Sequence, residues 1–339
     1  MPALTNVILA CVYTLTIILS TAPKHHKTEQ GFPLVNFVGT FLPPTEFTVL
    51  RTSDLEASTQ IETHYLFLGI PTTLSKTHLV NIHYKKLILF DYGDSHELGW
   101  TADQKAWLGL LSVGYFKTSF YNTQIEILPL RTLPLHFRNI PWLLQRPIRK
   151  LNHRRWDCFF IGNPTYFTLP DGSYDQRIEW LSEIKGHYSF FGGLQDHPNY
   201  PRQANRENIH QLYFLFNPFD FRLFFWCLRH SKIALLPTGH SRWTYRHFEA
   251  MLAGCIPLST DIHGLQTFIP MPVTTMTIAK DHEKISPLID QILSRLSDYQ
   301  DWIQFNKTHV HQYLNNYAQY DKKHPFAWEQ FMEQLCSLH

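Results

Sequence analysis

The sequence predicts an α/β chain built as two parallel-sheet units, and three observations carry that expectation. Short runs that are apolar at nearly every position, such as Leu87-Ile88-Leu89-Phe90 and Lys232 to Leu236, suit parallel strands covered on both faces. Such runs alternate with amphipathic stretches, the order that yields strand-helix-strand units. The length of 339 residues exceeds one ordinary domain and suits two.

Residues 1–30 admit two readings. No charged side chain occurs between Met1 and Ala22, Val7 to Leu19 is largely apolar, and Lys24, His25, His26 and Lys27 follow. That pattern fits a signal-anchor or a cleaved signal peptide, with membrane association through residues 3–22. Asn6, Thr14 and Thr16 dilute the run, so the alternative is a buried strand or helix in a cytoplasmic chain.

An N-terminal domain is expected over 31–145. Thr63 to Leu68 and Lys86 to Asp91 read as its buried strands, the second closing in the turn Tyr92-Gly93-Asp94-Ser95, and Gln124 to Leu130 as a further one. Pro134 to Arg155, rich in Pro, Arg and Asn, reads as the linker. A second domain follows over 150–310. Its strands are expected at Trp156 to Ile161, closed by Gly162-Asn163-Pro164, at Tyr188 to Phe191, closed by Gly192-Gly193, at Lys232 to Leu236 and at Cys255 to Leu258. Helices are expected at Ser173 to Ile184, Asn217 to His230 and Trp243 to Ala253. Ser286 is placed to cap another, with Pro287 at its first position and Leu288, Ile289, Ile292, Leu293 and Leu296 as its apolar stripe. Residues 311–339 are expected to form a C-terminal helical segment. The aromatic group from Tyr213 to Trp226 is expected to be core.

Composition narrows the function. Thirty basic against 28 acidic residues leave a net charge of +2, no strong attraction for nucleic acid or an anionic membrane. The 20 histidines are scattered without HxxxH or HExxH spacing, so no metal site is expected. Five widely spaced cysteines read as buried free thiols, which favours a reducing compartment. The chain has neither GxGxxG nor GxxxxGK[ST], which argues against dinucleotide and P-loop chemistry.

The most informative segment is Ser231 to Thr260, SKIALLPTGHSRWTYRHFEAMLAGCIPLST, which reads as strand, tight loop, helix and strand. Ser241 is placed to cap the helix, and a helix N-terminus beyond a strand end is a natural anion site. Arg242, Arg246 and Glu249 fall at spacings of four and three, on one helical face. Two guanidiniums there can grip a diphosphate, and a carboxylate one turn deeper can accept hydrogen bonds from a ribose diol. The competing reading is a solvated surface pair. Spacing does not decide between them.

The segment resembles the donor-binding signature of GT-B-type glycosyltransferases, in particular exostosin-like and CgeB-like enzymes. The matching residues are Ser231, Lys232, Pro237, Gly239, Arg246, Phe248, Glu249, Ala250, Gly254 and Pro257, and the likeness extends weakly over 155–300. Ser241-Arg242 and His247 stand where many relatives carry acidic residues. The resemblance implies two Rossmann-like domains facing a cleft, with the nucleotide-sugar donor on the second and the carbohydrate or glycoconjugate acceptor on the first. It implies that Glu249 contacts the donor ribose, and that Arg246 with the Gly239–Ser241 backbone contacts the phosphates. Gly162 and Asn163, ending a strand on the same edge, are further binding candidates, and His240 is a polar contact for the reacting sugar. Asp91, Asp94 and His96 are the candidate bases for the acceptor hydroxyl. Their DxxD spacing is not a metal-binding DxD, so metal-independent transfer with no cofactor beyond the nucleotide-sugar co-substrate is expected. The alternatives are another nucleotide- or phosphate-binding enzyme on a doubly wound fold, or a non-catalytic carbohydrate- or nucleotide-binding protein.

Overall fold

The computed structural model describes residues 15–19, 47–51, 60–70, 82–91, 112–117, 119–121, 130–132, 146–163, 167–169, 172–174, 176–195, 212, 221–239, 241–267 and 269–318. The chain divides into two compact units: residues 1–136 with 266–268 and 320–339, and residues 137–265 with 269–319.

The first unit contains strands Leu15–Leu19 (β1), Phe47–Arg51 (β2), Ile61–Ile70 (β3), Ile82–Asp91 (β4), Ser112–Lys117 (β5), Ser119–Tyr121 (β6) and Leu130–Thr132 (β7). Six of these form one sheet in the order β2-β1-β3-β4-β5-β7, with every neighbouring pair parallel. Leu87, Ile88 and Leu89 of β4 are consecutive and all buried, as a strand covered on both faces requires. β1 lies inside the apolar N-terminal run and pairs with β2 on one side and β3 on the other. Residues 15–19 therefore take the strand reading, while 1–14 and 20–30 lie outside the described residues. Among the described residues no helix is long and apolar enough to cross a membrane.

The second unit begins with a 3-10 turn at Leu151–His153 and continues through Trp156–Gly162 (β8), Phe167–Leu169 (β9), Gly172–Tyr174 (β10), the helix Gln176–Ile184 (α1) and Phe190–Leu194 (β11). It goes on through the helix Phe221–Arg229 (α2), Ser231–Leu236 (β12), the helix Arg246–Ala253 (α3) and Ile256–Thr260 (β13). Leu265–Thr267 (β14) follows, its last two residues belonging to the first unit, and the second unit resumes with Thr277–Ala279 (β15) and the helices Ser286–Ser294 (α4) and Gln300–Ala318 (α5). The sheet order is β11-β8-β12-β13-β15, parallel throughout. Its first strand, β8, lies between the second and the third, so the winding direction reverses between β8 and β12. That is the topological switch point, the place where doubly wound sheets bind ligands beyond their C-terminal strand ends.

Chemistry along the chain explains these elements. All of β13 is buried, and its Pro257 precedes the stretch that β15 pairs, so among the described residues no strand pairs with it on that side there. Among the described residues, Trp180 of α1 and Phe248 of α3 are the largest fully buried side chains. Gly254 ends α3 in the left-handed conformation at φ 72°, donating its N–H to Met251, while the Cys255 N–H reaches back to the Ala250 carbonyl at 2.9 Å. On α2, Phe224, Phe225 and Leu228 face the core as expected, but Trp226, expected there with them, falls on the opposite face of the helix and is 43% exposed. Cys158, Cys227 and Cys255 are buried free thiols, and burial pushes Cys255 up to about 11.

Four expectations are corrected. The stretch expected as a helix from Ser173 opens instead with the antiparallel hairpin of β9 and β10, and α1 starts only at Gln176. The strand near Gly192-Gly193 runs through both glycines instead of closing at them. Ser286 is inside α4 and does not cap it. The Glu183 carboxylate of α1 accepts the N–H groups of Ile285 and Ser286 at 3.0 and 2.7 Å, so the cap comes from a distant helix. Finally, α3 begins at Arg246, not Trp243. Ser241 Oγ accepts the Trp243 N–H at 3.2 Å in a local turn that sends the indole into the core, 4% exposed, against Phe248. A continuous helix from Trp243 would place that ring differently.

Candidate functional site

Strands β8 and β12 run side by side, Ala234 opposite Phe159, and end at the switch point in Gly162-Asn163 and Pro237-Thr238-Gly239. The loop after β12 is fastened from several sides. The Thr238 N–H donates to Gln176 Oε1 of α1 at 2.7 Å, and its hydroxyl to Thr260 Oγ1 at 3.0 Å. Gly239 N–H donates to the Ser241 carbonyl at 3.0 Å. Asn163 offers its carbonyl to the Arg177 guanidinium. Gln176 is 1% exposed, and its Nε2 has no hydrogen-bond partner among the described residues.

Arg246 opens α3 half-buried, its guanidinium 5.9 Å from the Phe160 ring centre and 5.7 Å from that of Phe224. With Phe160, Phe224, Leu228, Leu236 and Ala250 it lines a cavity of about 10 Å³. Burial lowers its pKa, and the nearby Glu249 opposes that. Glu249, also half-buried one turn further on, is pushed up to about 7 by burial, with Arg246 holding it down. For neither head group is a hydrogen-bond partner found among the described residues. A cation in an aromatic cradle beside a titratable carboxyl, both with donors and acceptors to spare, is suited to an anionic ligand that also presents hydroxyls.

His247 packs on the other side of α3, 1% exposed. Its Nδ1 meets Thr244 N at 3.2 Å and its Nε2 meets Ser259 Oγ at 2.9 Å, and burial lowers it to about 4, a neutral structural imidazole.

The structure thus brings Gly162, Asn163, Gly239, Ser241, Arg246 and Glu249 to the ends of two adjacent strands and the helix that follows. It separates Arg242 from them. Because α3 starts at Arg246, Arg242 is not on its face. Its guanidinium forms a two-pronged pair with Asp281, 2.6 and 3.0 Å, and reaches the Asp261 carbonyl at 3.4 Å. Asp261 in turn accepts from His263 at 2.7 Å, which helps hold its carboxyl below the usual range although burial pushes the other way. Arg242 therefore ties the β12 loop to the ends of β13 and β15. The backbone of Asp91 closes β4 in the first unit, opposite Ile70 of β3 and Lys117 of β5. Asp94, His96 and His240 lie outside the described residues. Gln176, Thr238, Thr260 and Asp281 were not singled out in the sequence; their shared signal is position at a strand end or helix start on this one edge.

No protein-family model matches the chain, and no curated protein matches it in sequence. Solved structures match its fold. A glycosyltransferase from Rickettsia africae aligns at TM-score 0.56 and 9% identity, covering 95% of this chain and 97% of that one. HepE from Anabaena, in a complex with UDP and glucose, aligns at TM-score 0.56 and 10% identity over 96% and 100%. Sucrose-phosphate synthase from Thermosynechococcus elongatus aligns at TM-score 0.51 and 11% identity, again over 96% and 100%. The chain spans 54% of the length of TarM. The fold is the parallel-sheet α/β fold of GT-B glycosyltransferases.

Proposed function

We propose that the chain is a glycosyltransferase, of exostosin-like or CgeB-like kind, that holds a nucleotide-sugar on its second unit and passes the sugar to an acceptor hydroxyl of a glycan or glycoconjugate. The observation that carries the reading is the Arg246–Glu249 pair, two withdrawn charged groups with unused hydrogen-bonding capacity at the switch-point edge. Its presence on a fold that HepE uses in a complex with UDP and glucose supports the same reading. Arg246 and the Gly239–Ser241 backbone meet the diphosphate, and Glu249 accepts from the ribose diol. Gly162 and Asn163 line the approach, and His240 contacts the sugar. Arg242 acts through Asp281 by fixing the loop.

In the reaction the acceptor oxygen bonds to the anomeric carbon as the bond from that carbon to the diphosphate breaks. One of Asp91, Asp94 or His96 takes the hydroxyl proton, and Arg246 stabilises the charge that gathers on the leaving nucleoside diphosphate. A guanidinium in this role makes a divalent cation unnecessary. The test is turnover of UDP-, GDP-, ADP- and CMP-sugars with and without EDTA. One donor class is turned over, chelation leaves the rate unchanged, and Arg246→Ala lowers kcat/KM by about a hundredfold or more. Nucleotide binding without transfer or donor hydrolysis would instead make the chain a binding protein on the same fold.

A further inference from the structure

Residues 146–155 read Arg-Pro-Ile-Arg-Lys-Leu-Asn-His-Arg-Arg, with five cations and no acid. The overall charge of +2 conceals this concentration. In the second unit the segment lies where β8 and β12 begin, at the sheet edge opposite the candidate donor site. Arg154 Nη1 donates to the Ser231 carbonyl at 2.8 Å, and the Trp156 N–H to the His230 carbonyl at 3.1 Å.

Two cations from elsewhere in the unit and one within the segment bind its backbone. Lys307 of α5 donates to the Arg146 carbonyl, Arg229 of α2 to that of Pro147 at 3.0 Å, and Arg154 to that of Arg149 at 2.9 Å. These carbonyl contacts fix the segment's backbone, and the exposed Arg149, Lys150 and Arg155 carry its outward charge. The groups feel one another: after burial, Arg146, Arg149 and Arg154 each push the Arg229 pKa down, and burial with Arg229 lowers Lys307 to about 8. The side chains of Arg146, Arg149, Lys150 and Arg155 are exposed. Asp157, the next acid along the chain, is already held by Lys232 at 2.6 Å.

The cations adjoin an exposed aromatic and apolar face. The Arg155 guanidinium lies 5.2 Å over Trp156, which meets Trp226 edge-on at 5.8 Å, and Trp226 packs on His230 at 4.1 Å. Trp226 is 43% exposed, and Leu223, one turn earlier on α2, is 45% exposed. A purely electrostatic partner has no use for that face. Indole and aliphatic groups beside a cluster of basic residues are the combination that settles at the headgroup level of a bilayer.

We propose that this edge of the second unit docks on an anionic membrane surface, with Arg149, Lys150 and Arg155 on lipid phosphates and Leu223 and Trp226 entering the headgroup layer. The proposal depends neither on residues 3–22 nor on the donor-site reading. It is tested by co-sedimenting the full chain with vesicles of phosphatidylcholine alone and of equimolar phosphatidylcholine and phosphatidylglycerol. The chain pellets with the anionic vesicles and not the neutral ones. Reversal of Arg149, Lys150 and Arg155 to Glu reduces partitioning by at least about fivefold for each cation lost. Trp226→Ser weakens it further while nucleotide binding stays unchanged. Should the triple variant melt early, Lys150→Glu alone carries the same test at about fivefold. Absence of binding to anionic vesicles, or binding that the charge reversals leave intact, overturns the proposal. So does competition by inorganic polyphosphate combined with indifference to Trp226→Ser, which would mark a site for soluble polyanions.

Discussion

Arg246 and Glu249 are three residues apart on α3, and their surroundings, not their spacing, distinguish them from a solvated surface pair. Burial moves the Glu249 carboxyl from its ordinary 4.5 up to about 7. The folded chain then keeps a proton that the unfolded chain releases between those values. The resulting stabilisation is complete below about 4.5 and is lost as pH rises through about 7. Thermal melts across that window should show wild type losing Tm relative to Glu249→Gln as pH rises. Parallel curves for the two proteins would mean that Glu249 titrates as an ordinary exposed carboxylate. Arg242 shows the opposite case: a residue on the expected helical face that the fold removes from it. Its partner Asp281 is 39 residues away, and the Gln176–Thr238 contact spans 62, so neither was legible from local pattern. Nothing in the immediate sequence announces a contact closed by the tertiary fold.

Strands of the second unit were legible because burial on both faces leaves an unbroken apolar run; β8, β12 and β13 follow directly from WDCFFI, KIALL and CIPL. Helix starts were not, because they depend on where a single large side chain must go. Trp243 is buried by a turn held through Ser241, which delays α3, and the acid that caps α4 comes from α1. The Gly192-Gly193 pair looked like a strand terminator but is needed inside β11. Gly192 has φ 121°, and a Cβ there would lie 1.8 Å from the Phe160 carbonyl oxygen on β8. Gly192→Ala should therefore destabilise the second unit by about 3 kcal/mol or more, measured by denaturant melting. A loss within about 0.5 kcal/mol, usual for a surface substitution, would mean that β8 and β11 do not approach so closely.

At the scale of the molecule, each unit repeats one topological device: the first strand of its large sheet lies between the second and third. The alternation of apolar runs and amphipathic stretches implied parallel sheets, but it could not order the strands. Nor could it show that Leu15–Leu19, inside the apolar N-terminal run, pairs between β2 and β3. The reversal between β8 and β12 puts the glycine-ended strands, the fastened loop and the Arg246–Glu249 pair on one edge, and the proposed activity rests on that coincidence. The most direct test is calorimetric titration of the chain with UDP, GDP, ADP and CMP, repeated on Arg246→Ala and Glu249→Ala. The account predicts that one nucleotide binds and that each substitution weakens it by about 1 kcal/mol or more, the strength of a charged hydrogen bond. Failure of all four to bind at millimolar concentration, or binding that neither substitution alters, would contradict it.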